Sequence, residues 1–175
     1  VESWELEKEI NSKKTSFLCR KDLGLEIEGS RLLSDREDLE GLIIPFVLKK
    51  FFGFSGRGIS FVRDEKQRKG LSDESFPALA EPLLPRIRDF GVFYKDVSKK
   101  VVQNLNDDRG QFRGVLIKKE FPEQEMIFKE TEPVFKWYQE KFGINFLQID
   151  CFQYLREGHL KFNALCEVNH RKTMG

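Results

Sequence analysis

The cysteine and histidine side chains could do chemistry, either as zinc ligands or as a nucleophile and its base. The chain has three cysteines and two histidines: Cys19, Cys151, Cys166, His159 and His170. Structural zinc sites usually begin with two closely spaced ligands, and no CxxC or HxxxH pair occurs here. A Cys nucleophile would need a base held beside it, and nothing local positions one. We therefore predict no metal site, no catalytic residue and no cofactor, and we interpret the cysteines as reduced thiols.

Acidic residues near the end of the chain could instead hold a hard metal ion. Asp150 and Lys161 fall on the two strands of a predicted hairpin. This resembles nucleases in which an Asp and a Glu-x-Lys motif on adjacent strands bind a divalent cation. His159 occupies the position of the required Glu, and the predicted register leaves Glu167 too far from Asp150 to replace it. The pattern therefore favours solvated strand charges.

A glycine-rich segment, Gly53 to Ser60, has the glycine separation of a phosphate-binding loop. Ile59 stands where such a loop requires its phosphate-binding lysine. A loop without that lysine lacks the charge that makes it a nucleotide site. The segment is therefore interpreted as a flexible entry to a short strand, Ile59 to Val62.

The octapeptide RGISFVRD, Arg57 to Asp64, resembles the RNP1 strand of RNA-recognition motifs. The resemblance lies in its Arg-Gly start and in Phe61-Val62, and it implies a sheet that stacks RNA bases. Ile59 and Asp64 occupy the positions of the stacking aromatic residues. The segment is thus better explained as a turn followed by a core strand.

One face of the predicted C-terminal hairpin is the most suggestive binding surface. Ten side chains would lie on it, Leu165 among them, and the five that we select for binding are Phe146, Phe152, Tyr154, Lys161 and Asn163. Aromatic rings beside a base suit a protein partner or a single-stranded nucleic acid. For a nucleic acid we add Arg57 and Lys66 from the basic loop that follows the glycines. A helix packed on this face would instead make it structural.

The hairpin itself is predicted with a turn at Glu157-Gly158, which pairs Arg156 with His159. One face of the pair is then almost wholly apolar, with Cys151 and Cys166 on it. The other face is the mixed surface just described. A slip of one residue would scramble both faces, so the pattern supports this register.

Apolar spacing and punctuation predict the remaining elements. Alternating residues predict two strands within residues 1–30. Ser34 and Glu37 form a capping-box signature and predict a helix that Pro45 interrupts. A long apolar stripe predicts a helix over residues 86–105. Strands are predicted at 112–121 and 125–129, and Pro133 and Gly143 delimit a helix at 133–142.

Composition bounds the fold and the function. The chain has 175 residues, a net charge of +1, and 17 phenylalanines that suggest an aromatic core or a sticky surface. Charged and apolar residues are interspersed, which is typical of a globular protein and gives no overall basic balance. No apolar run approaches membrane-spanning length, so we expect no membrane segment. We predict one α+β domain over residues 1–175, with a mainly antiparallel sheet built from hairpins and about three helices on one side.

No catalytic constellation is assembled by any single segment of the sequence. The leading functional prediction is therefore a non-enzymatic intracellular module that binds a protein partner or a second copy of itself. The alternative is a nucleic-acid-binding domain that uses the basic loop and the aromatic strand face. Either would be cytoplasmic or nuclear.

Overall fold

The computed structural model describes residues 4–53, 58–107 and 112–170. Its helices are α1 (Trp4–Ile10), α2 (Lys13–Leu23), α3 (Glu65–Lys69) and α4 (Gln124–Phe142). Its strands are β1 (Arg31–Leu33), β2 (Phe46–Lys50), β3 (Ile59–Val62), β4 (Ala78–Pro82), β5 (Arg86–Lys95), β6 (Ser98–Asn106), β7 (Phe112–Leu116), β8 (Phe146–Arg156) and β9 (His159–Asn169). They form a four-stranded sheet in the order β1-β4-β2-β3 and a five-stranded sheet in the order β7-β6-β5-β8-β9. Both are antiparallel, which confirms the predicted α+β class.

Each sheet has its own buried cluster of apolar side chains. The larger cluster lies between the five-stranded sheet and the helices, and includes Phe90 and Ile149 from the strands and Tyr138 from α4. The smaller cluster surrounds Phe46 and Leu48 of the four-stranded sheet. Burial of such side chains provides most of the stabilisation of either sheet. That residues 1–175 form a single domain stays a prediction.

The β8–β9 hairpin has the predicted turn, since Glu157 and Gly158 both have positive φ angles. Pairing follows the predicted register from Arg156–His159 as far as Phe152–Asn163. A β-bulge then offsets the strands by two residues, so that Asp150 pairs with Glu167. Sequence alternation alone did not reveal this bulge.

The bulge exchanges the sides of two β9 residues. Leu165 was predicted on the mixed face, but it is fully buried in the larger cluster. Cys166 was predicted on the apolar face, but its sulfur contacts Lys49 and Arg86 on the opposite side. A bulge is a common means of turning one side chain toward a site without disturbing the rest of a strand.

The predicted N-terminal strands are wrong, because Trp4–Ile10 and Lys13–Leu23 form α1 and α2 and residues 24–30 form no strand. The Ser12 side chain caps α2 by accepting a hydrogen bond from the Lys14 backbone N–H at 3.2 Å. Gly24 ends it in the left-handed conformation, at φ 67°. These two caps determine the element more strongly than a short alternation of apolar residues.

The predicted helix over residues 86–105 is also wrong, because this segment forms the β5–β6 hairpin. Three residues of the apolar stripe lie on the surface: Ile87, Val97 and Leu105 are 50%, 99% and 44% exposed. The buried residues Phe90, Val92 and Tyr94 alternate along β5, as a strand requires. The apolar pattern fitted both the 3.6-residue period of a helix and the two-residue period of a strand, and pairing with β8 selects the strand.

Two other segments differ from prediction. The region after Ser34 forms a short 3₁₀ turn, Glu37–Leu39, and then β2 rather than an interrupted helix. The strand predicted at 125–129 belongs to α4, which contains the predicted 133–142 helix and includes Pro133 within it. Of the described helices, none combines the length and apolar character needed to cross a membrane.

Candidate functional site

A cleft of about 790 Å³ lies between the two sheets, and residues of both sheets line it. The four-stranded sheet contributes Lys49 and Glu81 to the wall, and the five-stranded sheet contributes Asp89, Asn104 and Phe152. The connection from β4 to β5 passes from one sheet to the other and also lines the cleft. Because both walls carry charged side chains, the cleft is suited to a polar ligand.

Lys49 and Glu81 form a buried ion pair in one wall. The Lys49 ammonium lies 2.5 Å from Oε2 of Glu81, and the second carboxylate oxygen pairs with Arg20 of α2. Burial acts to raise the pKa of Glu81, but Lys49 and Arg20 outweigh it and lower this pKa to about 2. Burial likewise acts to lower the pKa of Lys49, but Cys166 and Glu81 outweigh it and raise that pKa. Lys49 and Glu81 are therefore both charged near neutral pH.

Arg86, the first residue of β5, also lines the cleft. Its guanidinium lies 3.9 Å from the centre of the Phe152 ring. It donates to Asp89 at 2.9 Å and to the Cys166 sulfur at 3.3 Å. Stacking and ion pairing fix a planar cation where the two sheets meet.

Asp150 lies on the same face of β8 as Phe152, two residues before it. Its carboxylate accepts hydrogen bonds from Asn169 at 2.9 Å, Gln148 at 3.1 Å and Asn104 at 3.4 Å. Burial and the neighbouring Glu167 raise its pKa to about 7. Two carboxylates thus lie side by side across the β8–β9 pair, at a point where a cation would relieve their repulsion.

Glu167 has a cation of its own, because Lys13 lies 2.8 Å from its carboxylate. Lys13 is the first residue of α2, and its side chain is almost fully buried. Two residues of α2, Lys13 and Arg20, therefore hold acidic groups that belong to the two different sheets.

The structure does not bring the predicted binding residues together. Phe152 and Tyr154 are buried, and of the predicted set only Phe152 lines the cleft. Phe146 lies beside the His170 ring, and Asn163 is buried opposite Phe152. Lys161 and Lys66 are exposed, and Arg57 lies outside the described residues. The predicted exposed aromatic platform is therefore absent from the described hairpin.

The sequence did not reveal Lys49 and Glu81 as cleft residues, nor Arg20 as the buried cation behind them. Lys49 follows the apolar run Phe46 to Leu48, and Glu81 follows Ala78 to Ala80. A charged residue at the end of a short apolar strand is a usable signal, because a buried charge must have a partner. No local signal marks Arg20 as their neighbour.

No protein-family model matches the sequence, and no curated protein matches it. Solved structures do match, and three illustrate the likeness. The Staphylococcus aureus N5-carboxyaminoimidazole synthetase complexed with ADP has a TM-score of 0.70 at 16% identity. The second is the biotin carboxylase domain dimer of the Hydrogenobacter thermophilus 2-oxoglutarate carboxylase, in complex with MgADP, ADP and bicarbonate. It has a TM-score of 0.69 at 19% identity. The Helicobacter pylori D-alanine-D-alanine ligase has a TM-score of 0.60 at 20% identity.

The fold is that of the ATP-grasp ligases. The matches cover 93%, 98% and 92% of this chain, but 45%, 42% and 54% of the synthetase, the carboxylase domain and the ligase. The chain thus spans about half the length of these proteins. At such identities the likeness establishes the fold alone.

The comparisons contradict both functional predictions made from the sequence. The proteins that share the fold are synthetases, ligases and a carboxylase domain, not non-enzymatic interaction modules. The nucleic-acid alternative fails on the same finding. The error arose because the charged groups of the cleft come from elements far apart in the chain, so no single segment shows them.

The carboxylase domain is in complex with MgADP, which raises the question of whether this chain could hold magnesium. Within the described ranges, no group of three or more His, Cys, Asp or Glu side chains converges on one point. Magnesium, however, is often bound by one or two carboxylates, with water and substrate phosphates completing its shell. Asp150 and Glu167 provide two carboxylates on paired residues of β8 and β9, although neither is among the residues that line the cleft. This donor set fits an ion that is completed by phosphates.

Proposed function

We propose that this chain is the nucleotide-binding part of an ATP-dependent ligase and that ATP binds in the cleft between the two sheets. The observation that supports the proposal is the cleft itself, which is lined by Lys49 from one sheet and by Arg86 from the other. Two of the matching structures are complexes with ADP. A cleft lined by fixed cations attracts polyphosphates and raises their local concentration.

The residues of this chain would have distinct tasks in nucleotide binding. Lys49 and Arg86 would bind phosphate oxygens, since both are fixed cations at the wall. Asp150 and Glu167 would hold magnesium, which supplies neutralisation of the phosphate charge when it is bound. Phe152 would keep the Arg86 guanidinium in place, since its ring packs against that cation, and burial among these groups would exclude water.

We also propose that the protein self-associates and acts inside the cell. Self-association is supported by one matching structure, a domain dimer, and by exposed apolar side chains on and just after β7, at Phe112, Leu116 and Ile117. An intracellular location is supported by three cysteines that all remain free thiols. The comparisons give no support for a nuclear location or a nucleic-acid partner. Light scattering of the purified chain tests self-association directly.

Calorimetric titration with ATP, in the presence of magnesium, tests the nucleotide site. We expect saturable binding by the unaltered chain and a loss of about ten- to hundredfold in affinity for Lys49→Met, because a charge-assisted hydrogen bond to phosphate is removed. Lys66→Met is the matched control, since Lys66 is exposed on α3 outside the cleft lining. Equal affinities of the two variants, or no binding by the unaltered chain, would refute the proposal.

A further inference from the structure

Arg20 is the largest fully buried side chain of the described residues, although it carries a charge. It projects from α2 and is not among the residues that line the cleft. One of its nitrogens donates to the backbone carbonyl of Leu165 at 3.2 Å, and another pairs with Glu81. A charge with no access to water is stabilised only by such partners.

Glu81 lies between two cations, and each of its oxygens is committed to one of them. Oε1 pairs with Arg20 behind the wall, and Oε2 pairs with Lys49 at the wall. The three groups together carry one net positive charge. Without Arg20, Lys49 and Glu81 would form a neutral pair, and the wall would lose its attraction for an anion.

Arg20 also fixes where that charge lies. The guanidinium is held at one end by the Leu165 carbonyl of β9, in the five-stranded sheet, and at the other by Glu81 of β4, in the four-stranded sheet. Because the ion pair with Arg20 fixes the Glu81 carboxylate, Oε2 of Glu81 is held in one position. The Lys49 ammonium, which pairs with Oε2, is thereby fixed as well. Preorganised charges of this kind bind an anion without reorganising first.

We propose that Arg20 is a positioning residue of the nucleotide site. Through Glu81 it fixes the position of the Lys49 ammonium, and it gives the group of Arg20, Glu81 and Lys49 its net positive charge. Both effects strengthen the binding of phosphate groups. This inference rests on the proposed function. It assigns a role in that function to a residue that does not line the cleft itself.

Replacing Arg20 alone and together with Glu81 tests the inference. We expect Arg20→Met to lower the affinity for ATP about tenfold or more, because it leaves a neutral Lys49–Glu81 pair. The double variant Arg20→Met with Glu81→Gln restores one positive charge at Lys49, so we expect it to recover a large part of the lost affinity. Arg20→Lys keeps the charge and should lie closer to the unaltered chain than Arg20→Met. Calorimetry with ATP measures all of them.

Adenosine provides the control for charge. It has no phosphate, so its affinity should change little in any of these variants. Val134→Ala provides the control for stability, because Val134 is a fully buried residue of α4 that does not line the cleft. It should destabilise the fold and leave ATP affinity unaltered. A purely structural role for Arg20 predicts instead that the double variant binds no better than Arg20→Met.

The test survives if Arg20→Met fails to fold. In that case Arg20→Gln takes its place, because glutamine is equally uncharged but its amide can still donate a hydrogen bond to the Leu165 carbonyl. The inference predicts weaker ATP binding by Arg20→Gln than by the unaltered chain and equal adenosine binding. Equal ATP binding would overturn the inference while leaving the nucleotide site intact, whereas an unaltered chain that binds no ATP would overturn the proposed function itself.

Discussion

Asp150 is the residue whose protonation reports most directly on the site. Burial and Glu167 raise its pKa to about 7, so the folded protein keeps a proton that the unfolded chain releases above about pH 4. Its contribution to stability is therefore greatest at low pH and is lost as the pH rises toward 7. The loss amounts to no more than about 4 kcal/mol.

Asp150→Asn should remove this dependence. We expect the unaltered chain to lose stability between about pH 5 and about pH 8, and the variant to lose distinctly less. Urea unfolding at the two pH values measures both. Magnesium with ADP should restore stability to the unaltered chain at the higher pH and should have a smaller effect on the variant. Identical pH profiles would contradict the environment described for this carboxylate.

The sequence pointed to some residues of the site, but the predicted hairpin register placed Asp150 and Glu167 too far apart. Both were considered as metal ligands from the sequence. The two-residue offset that joins them depends on how Leu165 packs into the core, which no local pattern encodes. Arg20 lies beyond such reasoning altogether, because its partner Glu81 is distant in the chain.

The β8–β9 hairpin is the element that divides core from cleft. Phe152 of β8 lies on the cleft side, whereas Phe162 of β9 packs at the margin of the larger cluster. The sequence predicted the turn and the alternation, because both depend on neighbouring residues. It could not show that the mixed face meets a second sheet, and so it interpreted that face as an exposed platform.

The same substitution on the two strands should therefore have different effects. Phe152→Ala should lower ATP affinity, because an apolar surface of the cleft is lost. Phe162→Ala should instead lower the free energy of unfolding by about 1–3 kcal/mol, less than a fully buried ring would, and leave ATP affinity unaltered. Calorimetry and urea unfolding of both variants decide this. Equal effects on ATP affinity would mean that the two faces are assigned wrongly.

Caps and turns led to the correct prediction for some elements but not for others, and prediction failed where an apolar pattern fitted both a helix and a strand. The helix at 133–142 was recovered, and α2 was missed despite its Ser12 and Gly24 caps. The β5–β6 segment shows the ambiguity most plainly, since its apolar residues satisfy a helical stripe and a strand alternation at once. Only pairing with β8 selects the strand.

The two sheets are joined by α2 and by the β4–β5 connection. The ion pairs of Lys13 and Arg20 tie α2 to both sheets. We therefore predict that the two apolar clusters unfold together, as the single domain inferred from the sequence requires. The class of the fold followed from its elements, but the division into two sheets did not, because strand order is set by contacts distant in the chain.

Leu48→Ala tests this cooperativity. Leu48 is buried in the smaller cluster, so its truncation should cost about 2–5 kcal/mol. Trp137 packs on the larger cluster and reports there by its fluorescence. If the protein unfolds as one unit, the variant should lower the urea midpoint seen by this fluorescence. An unchanged midpoint would mean that the two sheets unfold independently.

The most direct test of the central claim is hydrogen–deuterium exchange of the whole chain with and without MgADP, because it locates the nucleotide as well as detecting it. The account predicts slower exchange in the strands that line the cleft, Phe46–Lys50, Ala78–Pro82 and Phe146–Arg156. Protection confined to other segments, or no change at saturating MgADP, would contradict a nucleotide site between the two sheets.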